Sequence, residues 1–564
     1  MNIDKAFQDN PILRNTNRNN DLQDINRTDK SQYYLGAVSS VWKSNATVQI
    51  ENMSVIQGRI YNDEPLYPNS INFLVIIDSK IGLFIGRITT NGIKDSESIH
   101  KLMKEKDFEH IYPEAKIDIF AINYKFSPNF VPSGFRNVGV HDKVYIAPQN
   151  IVQEYYKSLE ILPNLEQEHN LTSFAELSFG QNSPICFKPS TLFSRHLMVL
   201  GTTGSGKSTS SLAIIDKLIE DNIKVLMIDP TGEYANSFDS DEIKHLKLGI
   251  DTGILPGSLT INQWIGLLNA SPGIQAPALM KAIQALRFQK KNGADEVYVK
   301  KQKKVSDVES DIATLNEYDK MFDLELLAQQ LIEEAVQENR YGKYEPNDFK
   351  LNAIRLLIER MNQVIQTTQL SSFFSGTNDY SLIDELNGFL NNDSNLLIDA
   401  SELGASNNVG AMIIDLICRY LNNQKSSENS AFVIFIDEVH RYTQAQNNID
   451  DNIYFEGLDT ISREGRKKGI YLLLTSQSPM DVSKLLLGQM GTLLIHRLTQ
   501  PDEIHAVKNF LDEQDLAQIK NLAQGEAILT SVNLLQDIHL NISKSHRKHQ
   551  NESPSLQKNE NTKK

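Results

Sequence analysis

Three observations in the sequence predict an α/β protein with a mainly parallel sheet, a small N-terminal β-barrel and an inserted helical subdomain. From about residue 191 onward, short apolar runs alternate with stretches of helical spacing, the pattern of strands joined by crossover helices. Between residues 33 and 148 the runs are short, rich in Val and Ile and closed by Gly, Asn or Pro, as in a barrel or sandwich. At 196–209, HLMVLGTTGSGKST sets a glycine-rich loop between an apolar run and a helical stretch.

Residues 1–30 are rich in Asn, Asp and Arg without periodicity and are expected to form a flexible arm. The barrel is assigned to 31–150, where YYLGAVSSVW, ATVQIENM, INFLVIID, GLFIGRIT, KIDIFAI and KVYIA supply the strands. A polar connector is expected over 151–190 and the α/β core over 191–540. Candidate core strands are 196–200, 223–228, 395–400, 431–436, 470–475 and 492–496. A helical insertion over about 260–390 carries apolar stripes such as LELLAQQLIEEAV and NAIRLLIERMNQVI, which suit helix packing. Residues 541–564 are polar and weakly basic, a tail expected to be flexible or partner-bound.

At 564 residues the prior is about three to four domains, ample for a buried core. No apolar run reaches the roughly 20 residues that cross a bilayer, so no membrane role is expected. The N-terminus lacks the apolar stretch of a signal peptide, and Cys186 and Cys418 are far apart beside apolar residues. Both are expected to be buried thiols of a cytoplasmic protein. A net charge of −15 argues against a generally basic surface, but it leaves room for a local basic channel.

The loop fits G-x-x-x-x-G-K-[ST] through Gly201, Gly206, Lys207 and Ser208. Gly201, Thr202, Thr203, Gly204, Ser205, Gly206, Lys207, Ser208 and Thr209 are therefore expected to cradle ATP. Backbone N–H groups and a helix N-terminus would face its phosphates. Lys207 would reach the β- and γ-phosphates, and Ser208 would hold Mg²⁺.

FVIFIDE at 432–438 is an apolar strand ending in two carboxylates. Asp437 can enter the Mg²⁺ shell, and Glu438 can orient and deprotonate a water, which favours hydrolysis over binding alone. The next strand, IYLLLTSQSP at 470–479, ends in Thr475, Ser476 and Gln477, with Gln477 favoured as the γ-phosphate sensor. Between them, Arg463 and Arg466 lie three apart and share a face if helical. They could stabilise phosphoryl transfer in a neighbouring subunit, or cap a helix C-terminus, and chemistry alone leaves both readings open.

Four stretches, RHLMVLGTTGSGKST, DPTGEY (229–234), VIFIDEVHRY (433–442) and ISREGRKKGIYLLLTSQSP (461–479), together resemble the HerA hexameric DNA-translocating ATPases, relatives of the FtsK pumps. The order matches across roughly 190–535, and 33–148 resembles that family's N-terminal barrel. The resemblance implies a RecA-like P-loop core in a homo-hexamer, with ATP between subunits and double-stranded DNA through the centre. It carries over Lys207 and Ser208 as phosphate and Mg²⁺ contacts, Asp437 as the metal-shell acid, Glu438 as catalytic base and Gln477 as sensor. Arg463 falls on the family's trans-acting arginine, and Arg195 on an arginine that contacts nucleotide across the interface. Asp229 and Glu233 are expected to support the site. Lys467 and Lys468, or the run from Lys290 to Lys304, are the candidate DNA grips. The implied function is a DNA motor serving a partner nuclease, in DNA processing or antiviral defence. The alternative is an ATP-gated scaffold for a nuclease or a sirtuin-like NADase.

Overall fold

The computed structural model describes residues 3, 30–61, 64–93, 100, 104, 111–124, 127, 129–161, 168–178, 184–374, 381–403, 407–426, 429–442 and 455–547. The expected arm over 1–30 lies outside the described residues except at its ends, as does the tail beyond 547.

Alternating apolar residues close the N-terminal sheet into a barrel. In Asn45–Ile50, Ala46, Val48 and Ile50 point inward while their neighbours face outward. The strand order is Asn45–Ile50, Tyr34–Val41, Lys143–Ile146, Leu74–Asp78, Gly82–Gly92 and Glu114–Tyr124, which pairs back to Asn45–Ile50. Closure leaves no free edge in this ring of six antiparallel strands, and the two-residue strand Val131–Pro132 adds outside it.

The core sheet has 11 strands among the described residues. From one edge they run Pro184–Ile185, Ala175–Leu177, Ile538–Ile542, Glu526–Ser531, Thr492–Ile495, Leu197–Leu200, Ile470–Ser476, Phe432–Ile436, Lys224–Asp229, Asn395–Asp399 and Ile243–Lys247. From Thr492–Ile495 onward all neighbours are parallel, and the strands before it are antiparallel. The central parallel strands are buried on both faces, which explains their unbroken apolar runs LMVL, FVIFI and IYLLLT. All six candidate core strands lie in this sheet. Parallel alignment gathers the C-terminal ends of Leu197–Leu200, Lys224–Asp229, Phe432–Ile436 and Ile470–Ser476 along one edge, where ligands of such sheets bind.

The polar connector and the tail start differ from expectation. Residues 151–190 contain most of the helix Gln149–Lys157 and the two short strands that extend the core sheet, too brief for periodicity to reveal. The last sheet strand runs to Ile542, past the expected tail start at 541. Arg547 then donates to Glu242 and Asp216 and lies over the Phe238 ring. The thiols also differ, since Cys418 is buried but Cys186 is exposed.

The insertion holds the helices Gln275–Lys291, Val305–Ala313, Leu327–Glu333 and Asp348–Gln366, with a hairpin of Val336–Glu338 and Tyr344–Pro346. Four of the six lysines from Lys290 to Lys304 are engaged within the chain. Lys290 pairs with Asp295, Lys291 with Asp319 and buried Lys300 with Glu334, while Lys303 stands over the Tyr298 ring.

Leu473 is fully buried at the centre of the core sheet, between Leu197 and Phe435. Leu473→Ala should lower stability by about 2–5 kcal/mol, read as a shift in the midpoint of the core's urea transition.

Candidate functional site

The site is assembled from the C-terminal ends of four adjacent parallel strands. After Leu197–Leu200 the chain enters the phosphate loop, in which Gly204 has φ +75° and Gly206 φ +120°, conformations that favour glycine. A Cβ on Gly201 would lie 2.6 Å from His496 Cβ, so the loop also needs glycine for close approach to the next strand end. The helix Lys207–Glu220 starts directly from this loop and presents its N-terminus there. Lys207 is 6% exposed, with Nζ 3.8 Å from Glu438 Oε1. Burial lowers its pKa, opposed by Glu438, Asp437 and Glu233.

Asp437 follows Phe432–Ile436 and is 3% exposed. Its carboxylate accepts from Tyr234 Oη at 3.0 Å and from the Thr475 hydroxyl. Burial pushes it up to about 6 against the hydroxyl donors, with Glu438 and Asp229 adding to the rise. Thr475 Oγ1 also accepts the Glu438 N–H at 2.8 Å, which ties the two strand ends together. Glu438 takes a left-handed conformation, φ +47°, uncommon outside glycine, and its side chain thereby meets Lys207 and Gln477. Gln477 Nε2 donates to Glu438 Oε1 at 2.6 Å, and its Oε1 accepts from Thr203 Oγ1 at 2.8 Å. The candidate sensor thus spans the loop and the candidate base. Burial raises Glu438, but His440, Lys207 and Gln477 outweigh it and hold the carboxyl below its ordinary value. Its Oε2 is buried without a hydrogen bond, although His440 Nδ1 stands 3.2 Å away.

The DPTGEY segment closes the site from the neighbouring strand. Asp229 accepts from the N–H groups of Thr231, Gly232 and Tyr234 and from Thr231 Oγ1, so its role is to fold this loop. The loop carries Tyr234 against Phe435 and onto Asp437. Glu233 is pushed up to about 7 by burial and by Asp437, Asp229 and Glu438. This surplus of carboxylate around one lysine, together with the glycine cradle and the orphaned Glu438 oxygen, fits a Mg²⁺–nucleotide. Ser208 and Asp437 would hold the metal, and residues 201–209 the phosphates.

The arginines stand elsewhere. Arg195 precedes Leu197–Leu200, and Arg463 and Arg466 precede Ile470–Ser476, so all three lie at the opposite ends of the strands. Each is exposed. Arg463 lies in the last turn of the α-helix Gly457–Glu464, and Arg466 sits on the 3-10 turn Gly465–Lys468 that follows it directly. Roughly 10 Å of strand separates these groups from their own phosphate loop.

Sequence reasoning missed the buried residues that hold these parts in place. His196 accepts the Leu472 N–H at Nδ1, and its Nε2 lies 3.0 Å from the Ser462 carbonyl, fixing the arginine helix to the sheet. Burial lowers it to about 4, so it is neutral and donates to Ser462. Asp415, on the helix Asn407–Gln424, accepts from Gly457 N, Gln263 Nε2 and Arg419 Nε. His496 joins Ser210 to the Glu526 carbonyl behind the phosphate loop. An isolated polar residue beside an apolar run was the only signal each gave.

Fold and site define a P-loop ATPase core with an acidic pair two strands away from the phosphate loop's strand, across Ile470–Ser476. Residues 174–421 match the family described as helicase HerA, central domain. The chain is 26% identical over 348 residues to the DNA double-strand break repair helicase HerA of Sulfolobus acidocaldarius, covering 60% of this chain and 62% of that protein. It is 27% identical over 352 residues to the HerA of Saccharolobus solfataricus, with the same coverage of 60% and 62%. The chain therefore spans less than two thirds of the length of these relatives. The solved structure of VirB4 of Thermoanaerobacter pseudethanolicus overlays 66% of this chain and 96% of its own at 13% identity and a TM-score of 0.47, too distant to add to the reading. No described helix is long and apolar enough to cross a membrane.

Because the folded state raises the pKa of Asp437 from 3.8 to about 6, its ionisation opposes folding. This group's stabilising contribution is complete below pH 3.8 and is lost as the pH rises through about 6. In metal-free protein, Asp437→Asn should therefore raise the melting temperature relative to wild type above pH 6, with the gap closing towards pH 4. Thermal unfolding across that range checks the sign.

Proposed function

We propose that the chain hydrolyses ATP in a homo-hexameric ring and uses the cycle to move double-stranded DNA. The observation that carries hydrolysis is the convergence of Lys207, Asp437, Glu438 and Gln477 at one edge of the sheet. Lys207 and the loop N–H groups hold the β- and γ-phosphates, and Ser208 and Asp437 hold Mg²⁺. Bound Mg²⁺ neutralises charge on the phosphates. With Lys207 drawn to phosphate, Glu438 loses its nearest cation and is free to accept a proton from the attacking water. Gln477, already bonded to Glu438 and to Thr203, orients that water and senses the γ-phosphate.

Placement of the arginines favours a ring. Exposed at the far ends of the strands, Arg195, Arg463 and Arg466 are suited to a neighbour's nucleotide, and Arg463 is the proposed finger. Ring assembly would place them across the interface. Exposed Lys467, four residues beyond the finger, is the preferred DNA-grip candidate, since four of the six lysines from Lys290 to Lys304 are engaged within the chain.

The relatives named HerA are described as DNA double-strand break repair helicases, which supports action on DNA. A partner nuclease or sirtuin-like effector would dock on the barrel. There Trp42 is 66% exposed, Phe135 is fully exposed, and Asn137 bonds to the Trp42 carbonyl. If ATP state serves mainly to assemble that effector, turnover will not respond to DNA.

Steady-state ATP hydrolysis with and without linear double-stranded DNA tests the motor, with Glu438→Gln as the blank. The expected result is DNA-stimulated turnover that falls by about 10²–10⁴-fold in Glu438→Gln while ATP binding persists. Normal turnover in that variant would overturn the site, and turnover indifferent to DNA would overturn the motor. Lys207→Ala should weaken ATP binding by roughly tenfold or more, as loss of a charge-assisted contact does, read by equilibrium titration with a fluorescent ATP analogue.

A further inference from the structure

Where the barrel meets the motor, away from the nucleotide site, four carboxylates surround one guanidinium. Arg87, 6% exposed on the barrel strand Gly82–Gly92, donates to Asp512 Oδ2 at 2.9 Å and to Asp515 Oδ1 at 3.3 Å. Asp118 is its cross-strand partner within the barrel. Asp512 caps the helix Glu513–Gln518, in which Asp515 is fully buried, and Asp537 precedes the strand Ile538–Ile542. His539 Nε2 donates to Asp515 Oδ1 at 2.7 Å. One arginine and one histidine cannot balance four carboxylates, and buried charge without a partner is costly. Burial, with help from Asp515 and Asp512, pushes Asp537 up to about 7, and burial likewise raises Asp118.

Two further observations point to a ligand rather than to protonation alone. Ligand oxygens of Asp512, Asp515 and Asp537 lie within 4.8 Å of one another, the span of two oxygens on opposite sides of an ion with bonds of about 2.4 Å. Beside them is a cavity of about 40 Å³ lined by Asn72, Arg87, Tyr156, Gln536, Asp537 and His539, room for a water or an ion. Asn72 is 91% buried (9% exposed), and its Oδ1 has no hydrogen-bond partner. Gln536 Oε1 on the same cavity and Asp515 Oδ2 also have none. The orphaned atoms on and beside the cavity are these three oxygens and one donor, Arg87 Nε, so acceptors in need of a donor or a cation predominate. A set of carboxylate and amide oxygens without thiolate suits a hard divalent ion.

We propose that Asp512, Asp515 and Asp537, with the Asn72 amide oxygen beside them, bind a hard divalent cation, Ca²⁺ or Mg²⁺, that clamps the barrel to the motor. The ion offsets the carboxylate surplus left by Arg87. Asn72 and Arg87 come from the barrel and the three aspartates from the motor, so binding couples the cation to the fit between the two parts. The assignment is independent of the nucleotide site, and its failure leaves the ATPase reading untouched.

Calorimetric titration of Ca²⁺, then Mg²⁺, into chelator-treated, nucleotide-free full-length protein tests it. One site per chain is expected in wild type and in Asp437→Asn, with affinity at least tenfold weaker in Asp537→Asn and in half-exposed Asp512→Asn. Absence of a site in wild type would overturn the proposal, as would a site lost in Asp437→Asn but kept in Asp537→Asn. Tb³⁺ provides a second reading that does not depend on the aspartate variants folding. Tyr156 lines the cavity, so excitation of tyrosine should give sensitised Tb³⁺ emission in wild type, displaced by Ca²⁺ and largely lost in Tyr156→Phe. Emission unchanged in Tyr156→Phe would place the ion elsewhere.

Discussion

A single hydroxyl, that of Thr475, organises the candidate site. It donates to Asp437 and accepts from the Glu438 N–H, so one side chain of Ile470–Ser476 fixes two consecutive residues at the exit of its neighbour Phe432–Ile436. Asp437 is buried, and its other hydrogen-bond donor is Tyr234, delivered by the loop that Asp229 folds. The parallel order of three neighbouring strands is therefore tied to the position of one carboxylate. Glu438, turned by its left-handed backbone, faces Lys207 and Gln477 as a consequence.

The same parallel sheet separates two kinds of charge. Carboxylates and the phosphate loop gather at the C-terminal ends of the strands, and Arg195, Arg463 and Arg466 at the N-terminal ends. His196 and Asp415 hold the arginine helix in place from beneath. On the proposed reading, each end of the sheet would carry half of a phosphoryl-transfer site, and a ring of copies would join them.

Much of this was legible because the central strands are unbroken apolar runs and the nucleotide loop has fixed spacing. Leu197–Leu200, Phe432–Ile436 and Ile470–Ser476 are each followed at once by the residues of the candidate site. What escaped was non-local. Ala175–Leu177 and Pro184–Ile185 are strands only because Ile538–Ile542, far along the chain, offers an edge to pair with. Lys300 reads as one of a basic run, yet it is buried against Glu334. Arg87, Asp515 and Asp537 carry no motif, and they meet only when the barrel packs on the motor. Periodicity reports a residue's own element and says nothing of what another element brings to it.

The central claim, that each nucleotide is hydrolysed with residues of two chains, is tested most directly by complementation. Lys207→Ala and Arg463→Ala proteins, each inactive alone, are mixed and allowed to reassemble before ATP hydrolysis is measured. In a mixed ring, some interfaces join an intact Lys207 to an intact Arg463, so the account predicts that activity returns on mixing. Activity no greater than the sum of the two separate proteins, with mixed rings shown to form, would contradict it.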